Sequence, residues 1–226
     1  MSLLDAVVVE TGPEPLGAVI WLHGLGADGH DFEAIIPELQ LPDSMPLRFV
    51  FPHAPVRPVT INGGMAMRAW YDIRSFDAEG RADSDGVTES SAALDDLIAR
   101  EVARGIPTTR IVLAGFSQGG AVVLHNALRA SERLAGLLAL STYLPLPNGF
   151  TDEVTNNRNS QDRSLPIFMA HGTEDPMVPL QAGIETATTL RAAGFTVEWH
   201  EYPMAHGICP AEIVDIRNWL LGIYAG

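Results

Sequence analysis

A chain of 226 residues with 46% hydrophobic content can build one sizeable core and has little left for a second, so it reads as one domain. A formal net charge of −14, with arginine and no lysine, disfavours a nucleic-acid partner and leaves no polybasic membrane anchor. The lone cysteine, Cys209, excludes an internal disulfide and a cysteine-based metal cluster; with no basic-then-apolar leader and no membrane-length apolar run, a cytoplasmic protein without membrane insertion is expected.

In chain order, residues 5–10 predict an edge strand closed by Gly12-Pro13, and residues 16–22 a more buried one broken only by Gly17. A glycine-rich loop from His23 to Gly29 follows, and Asp28 is placed to cap a helix through about Leu39. Residues 48–51 form a third short apolar run. From Pro52 to Val87 the periodicity fails, although Met65, Met67, Trp70, Tyr71 and Phe76 are large and apolar. Such a loop is either a satellite core or one wall of a substrate groove. Residues 88–104 predict an amphipathic helix with Leu94, Leu97, Ile98, Glu101 and Val102 along one side and its edge. Beyond the Ser117 region come a strand at 136–141, a largely polar excursion from Tyr143 to Ser164, and a strand at 165–171. A helix at 181–193, a strand at 195–202 and a helix from Pro210 to about Ile223 complete the series. Strands alternating with helices throughout predict an α/β fold with a mostly parallel sheet covered on both faces.

The chemistry centres on Gly115-Phe116-Ser117-Gln118-Gly119-Gly120, set between a β-branched run and a helical one. Gly115 and Gly119 leave room where Cβ atoms would clash, so Ser117 can sit at a strained strand-to-helix turn with its hydroxyl outward. A glycine-rich turn with a surface serine fits the same pentapeptide; the flanking pattern favours the nucleophile. A serine needs a base, and the base needs an acid to orient it. Asp175 follows one later strand and His206 the last, which gives the chain order serine, acid, histidine of an α/β-hydrolase. Glu174 competes with Asp175, but Asp175-Pro176 fixes the turn immediately after the aspartate. His171 is expected to pack below the acid loop, His23 to brace its own loop, and His125 and His200 lie within elements rather than on loops. Oxyanion donors are expected from the Gln118 amide and from the loop after the early strand, where Leu25 is favoured. Cys209 is read as a small buried residue. The chain has no clustered metal-ligand spacing.

The segments LHGLGADGHDF from Leu22, PHAPVRPVT from Pro52, NGGMAMRAWYDI from Asn62, GFSQGG from Gly115, HGTEDPMVP from His171 and MAHGI from Met204 extend over nearly the whole sequence. In them the chain resembles the bacterial carboxylesterases related to acyl-protein thioesterases and lysophospholipases, within the phospholipase/carboxylesterase family of α/β-hydrolases. The resemblance implies an α/β-hydrolase fold, a triad of Ser117, Asp175 and His206, and oxyanion donors at Leu25 and Gln118. It also implies an acyl site bordered by the loop around Met65 to Trp70. With Tyr71, these apolar side chains are the expected substrate contacts, supplemented by the segment that starts at Tyr143. The family implies hydrolysis of short-to-medium acyl esters without a cofactor, frequent homodimers, and lysophospholipid or acyl-thioester cleavage as the alternative. In the eukaryotic thioesterase branch proline commonly occurs near the position of Arg68; with the loop after Tyr143, this difference argues against carrying over deacylation of lipidated proteins, and carboxylesterase activity is the leading expectation. A dienelactone-hydrolase-like enzyme would carry cysteine at Ser117, and a binding module would not need the catalytic residues intact.

Overall fold

The computed structural model describes residues 3–75, 82–147 and 163–225. Seven strands form one sheet in the order β1-β3-β2-β6-β7-β8-β9. They are β1 (Ala6–Glu10), β2 (Gly17–Leu22), β3 (Leu47–Pro52), β6 (Ile111–Phe116), β7 (Gly136–Leu140), β8 (Ile167–Gly172) and β9 (Val197–Tyr202). All pairings are parallel except β1 against β3 at one edge. This is the mostly parallel α/β sheet that the alternating pattern predicted, in the α/β-hydrolase form that the resemblance implied.

The central strands read as unbroken apolar runs because both of their faces are buried. Ala18, Ile20 and Leu22 of β2 point into one core, together with Leu113 of β6 and Leu137 of β7. Val19 and Trp21 point into the other, with Val112 and Leu138. The first core is roofed by α2 (Ser84–Ala103), α3 (Gln118–Ala127) and α4 (Leu180–Ala192), the second by α1 (Ile35–Leu39) and α5 (Pro210–Tyr224). No helix among the described residues is long and apolar enough to cross a membrane.

Three elements differ from the sequence expectation. The helix expected from Asp28 is confined to Ile35–Leu39. Asp28 spends its carboxylate on the His30 amide, 2.8 Å away, in a local turn. Pro37 then has no N–H to return to Glu33, so a continuous helix cannot extend back. The stretch from Pro52 to Val87 is not wholly irregular. It contains an antiparallel hairpin of β4 (Val56–Val59) and β5 (Met65–Arg68), turned through Gly63 and Gly64 at positive φ. Helix α2 starts at Ser84 rather than Thr88, with Gly86 inside it because a Cβ there would lie 3.0 Å from that of Tyr71. Phe76 and most of the Tyr143–Ser164 excursion lie outside the described residues.

The C-terminal ends of β2, β6, β8 and β9 carry His23, Ser117, Asp175 and His206 or lead directly to them, along one edge of the sheet. In parallel sheets that edge is where ligands bind. It is shaped by two glycines. A Cβ on Gly115 would stand 2.5 Å from the Gly119 carbonyl group, and a Cβ on Gly119 would stand 2.5 Å from the Leu22 oxygen and 2.6 Å from the His23 oxygen. These obstacles are backbone and cannot rotate away. Gly119→Ala is therefore expected to lower stability by about 3 kcal/mol or more, as overpacking a rigid site does. Gly222→Ala, in α5 with nothing within 4 Å of the added Cβ, should be neutral or stabilise by up to ~1 kcal/mol through helix propensity. Urea unfolding of the two variants beside the parent checks this ordering.

Candidate active site

Ser117 joins β6 to α3 at φ 54 and ψ −118, a conformation that L side chains rarely adopt. Its backbone is tied down on every side. Its N–H donates to the Leu140 carbonyl (2.9 Å), and its own carbonyl accepts from Thr142 Oγ1 (2.7 Å) and the Ala121 amide (3.1 Å). The strain expected from the glycine pattern is thus present and held by β7 and by the segment that follows it. Gln118 is the first residue of α3, where the leading amides have no partner inside the helix. The loop after β2 lies opposite. A Cβ on Gly24 would sit 3.5 Å from the Ser117 Cβ, and Leu25 and Gln118 line the same cavity as Ser117.

The other two residues meet through the ladder of β8 and β9. Beyond the strands the Thr173 amide donates to the Tyr202 carbonyl (2.8 Å) and the Glu174 amide to the Met204 carbonyl (3.0 Å). This stitches the acid loop to the histidine loop. Asp175 is buried, and its Oδ1 accepts the amides of Met177 (2.8 Å) and Val178 (2.9 Å). Its Oδ2 accepts from His206 Nδ1 at 2.7 Å. With Nδ1 donating to a carboxylate, Nε2 of His206 keeps its lone pair. Glu174 is exposed and points to solvent. His206 also stacks on Phe116, with ring centroids 4.7 Å apart.

His171 and His23 both lie buried in the places that the sequence reading gave them. His171 is fully buried behind the acid, with Nε2 donating to the Val178 carbonyl (2.9 Å) and lying 3.5 Å from Asp175 Oδ2. Burial pulls its pKa down and favours the neutral ring. His23 donates from Nδ1 to the Gly24 carbonyl (2.7 Å) and accepts the Ala54 amide at Nε2 (3.1 Å). Burial likewise lowers its pKa, so it is a neutral brace for the loop that carries Leu25.

Ser117 and His206 share a cavity of about 460 Å³ whose apolar lining includes Ile61, Met67, Ile73, Phe116, Tyr143 and Val178. The expected substrate contacts Met65, Trp70 and Tyr71 do not line it. Trp70 and Tyr71 are essentially inaccessible, while Met65 is 64% exposed beside the turn of the hairpin. The correction has a physical cause in Gln118, whose side chain reaches across. Its Oε1 accepts the Trp70 amide (2.9 Å) and its Nε2 donates to the Tyr71 carbonyl (2.7 Å). The Trp70 indole donates to the His23 carbonyl (2.8 Å), Ser90 Oγ to the Trp70 carbonyl, and the Tyr71 and Tyr143 hydroxyls share a hydrogen bond (2.8 Å). These two aromatics anchor the loop beneath the cavity, and Met67 supplies the apolar wall. Strand alternation puts Met65 and Met67 on one face of β5, so it could not have separated them; what does is that Met65 lies beside the turn, in a hairpin that the sequence reading left irregular. A larger cavity of about 560 Å³ opens between α2 and the end of α3, lined in part by Ile98, Val102, Asn126 and Leu134. None of the candidate site residues touches it.

With this geometry in place, the relatives can be weighed. A profile of the Phospholipase/Carboxylesterase family matches residues 4–222. The chain belongs to this family. It is similar to acyl-protein thioesterase 1 of Cryptococcus neoformans var. neoformans serotype D, 38% identical over 223 residues and 90% of each chain. It is 40% identical over 209 residues to acyl-protein thioesterase 1 of Neurospora crassa, covering 89% of this chain and 84% of that protein. Among solved structures, Arabidopsis thaliana SOBER1 superimposes with a TM-score of 0.83 at 30% identity, covering 92% and 98% of the two chains. Zea mays acyl-protein thioesterase 2 does so at 0.86 and 25% identity, covering 97% and 100%. The chain is therefore a serine-hydrolase-type enzyme of this family. The bacterial attribution is corrected, because these relatives are fungal and plant proteins.

Cys209 is half-buried under the second core and caps α5 immediately after the histidine loop. In the first turn of that helix Glu212 is fully buried, and neither side-chain oxygen meets a donor in hydrogen-bonding geometry. Burial pushes its pKa up to about 8, the Cys209 amide opposing and Asp215 reinforcing the shift. An acid whose folded-state pKa is raised contributes no penalty below its ordinary value and loses stability as pH rises towards the folded value. The parent should therefore lose stability relative to Glu212→Gln between about pH 5 and pH 8, by at most ~1.4 kcal/mol per pH unit. Denaturant midpoints of both proteins across that range read the difference directly.

Proposed function

We propose that the protein hydrolyses acyl thioesters, and oxygen esters by the same steps, through an acyl-Ser117 intermediate. The observation that carries this reading is the 2.7 Å Asp175–His206 hydrogen bond beside the cavity that Ser117 also lines. In the first step His206 Nε2 takes the Ser117 proton as Oγ bonds to the acyl carbon, and the carbonyl electrons move onto oxygen. The amides of Gln118 and Leu25 donate to that oxyanion. Collapse breaks the bond to the leaving sulfur or oxygen, which receives the proton from His206. Water then repeats the sequence, with His206 as base, and frees the carboxylic acid and Ser117. Asp175 holds the ring and favours the imidazolium that forms twice in each cycle.

The thioester reading is placed first because the relatives that are 38–40% identical are called acyl-protein thioesterases. Arg68, the departure that weighed against deacylation of lipidated proteins, is not part of the cavity lining. Its guanidinium is held on the Ala54 carbonyl at 2.8 Å. A thiolate is also the easier leaving group, since a thiol ionises near pH 8.5 and an alkyl alcohol far above it.

The test compares a thioester and an oxygen ester with the same acyl chain. The thioester should have the higher kcat/KM, both should be lost in Ser117→Ala, and a fluorophosphonate should label Ser117 alone. Labelling of another serine, or turnover by folded S117A near the parent's rate, would refute the mechanism.

A second comparison separates the two neighbouring carboxylates. Asp175→Asn should lower kcat by orders of magnitude, about 10⁴ in the protease precedent, because asparagine stabilises the wrong imidazole tautomer. Glu174→Gln should cost less than about threefold, as expected of a solvent-facing group outside the proton-transfer path. Reversal of the two effects would make Glu174 the orienting acid.

A further inference from the structure

Asp31 lies on the loop between β2 and α1 and lines the cavity of Ser117 and His206. It is the one acidic side chain in that lining among the described residues, and no arginine is there to balance it. The nearby cations are engaged elsewhere. Arg74 pairs with Asp83 (2.7 Å) and approaches Asp72 (3.8 Å), Arg57 pairs with Glu89 (3.2 Å), and His30 with Glu33 (2.9 Å). Arg68 is held on the Ala54 carbonyl, and its charge acts on Asp28. Asp31 forms no ion pair among the described residues. Partial burial, and then the Asp28 carboxylate, raise its pKa, which is the behaviour of a carboxylate short of a counter-charge.

The side of the cleft on which Asp31 stands follows from the rings beside it. Phe32, its neighbour, packs against Phe116 with centroids 5.5 Å apart, and Phe116 packs against His206 at 4.7 Å. The Asp31 loop is thereby fastened to the histidine side. In the proposed mechanism His206 protonates the leaving atom, so the leaving group departs on that side. The acyl chain has the apolar wall of Ile61, Met67 and Ile73 available to it.

From this arrangement we infer that Asp31 sets a charge preference for the leaving group, favouring acyl donors whose leaving group is cationic and disfavouring anionic ones. The inference rests on the Ser117–His206 reading of the site and adds a substrate class to it. Acyl thiols attached to basic segments or quaternary amines fit, and polyanionic nucleotide-linked thiols do not.

The test uses three thioesters with one acyl chain: butyrylthiocholine, S-butyryl-N-acetylcysteamine and S-butyryl-2-mercaptoethanesulfonate. They carry a positive charge, no charge and a negative charge on the leaving side. The parent should rank them in that order by kcat/KM. Asp31→Asn should shrink the cation-to-anion ratio by about three- to tenfold, the range for one partly screened charge at the mouth of a cleft. Asp31→Glu should keep the ratio, and added salt should weaken the ratio of the parent more than that of D31N. Glu38→Gln, an exposed acid on α1 outside the cavity, should leave it unchanged. An unaltered ratio in D31N overturns the inference, as does an equal fall in E38Q, which would make the preference a property of the whole acidic surface. Failure of the parent to cleave any of the three would instead count against the proposed function.

Discussion

The edge of the sheet depends on how closely α3 approaches the end of β2. Gly119 lies against the Leu22 and His23 carbonyls with no space for a methyl group. That contact forces the chain to turn within one residue, and Ser117 takes the strain, of order 1–3 kcal/mol for a side-chain-bearing residue in such a conformation. The cost is met by the three hydrogen bonds that clamp the Ser117 backbone to the Leu140 carbonyl, the Thr142 hydroxyl and the Ala121 amide. A serine that could relax would turn its hydroxyl away from the cavity, so the buried sheet beneath is what keeps it presented.

Two buried carboxyl groups near this edge are provided for in opposite ways. Asp175 has two backbone amides on one oxygen and an imidazole on the other. Glu212, a few residues past His206, has an apolar environment and the start of a helix. The first arrangement suits a charge that must persist through a reaction, and the second suits a neutral acid. At Glu212, burial away from donors favours the neutral acid.

Much of this was legible in the sequence. Apolar runs at 110–114, 136–141 and 165–171 announced buried parallel strands, and the order of Ser117, Asp175 and His206 brought three distant segments to one edge. What failed did so where a residue's partner is remote. Glu101 read as part of the edge of an apolar helix face, yet it is wholly buried and binds Arg48 at 2.9 Å, with Arg100 and Arg104 on its other oxygen. Arg48 is far away in sequence, so no local pattern could announce the pair. Trp70 and Tyr71 looked as suited to a groove wall as to a core, and only the Gln118 side chain decides between the two. The helix expected from Asp28 was lost to a local competitor, a side chain that bonds two residues ahead, with Pro37 closing off recovery.

Gln118 joins two tasks that are usually kept apart. In the proposed mechanism its backbone amide meets developing negative charge, while its amide side chain is the bolt that fastens the Trp70–Tyr71 segment to the body of the protein. A disturbance of that segment therefore travels along a single residue to the reacting oxygen. Random mutagenesis of such a protein would recover kinetic defects from positions with no route to the substrate, and thermal loosening of the loop would register as falling turnover before any loss of secondary structure. Architecture and rate share one residue, so tolerance to heat and fidelity of catalysis cannot be selected independently there.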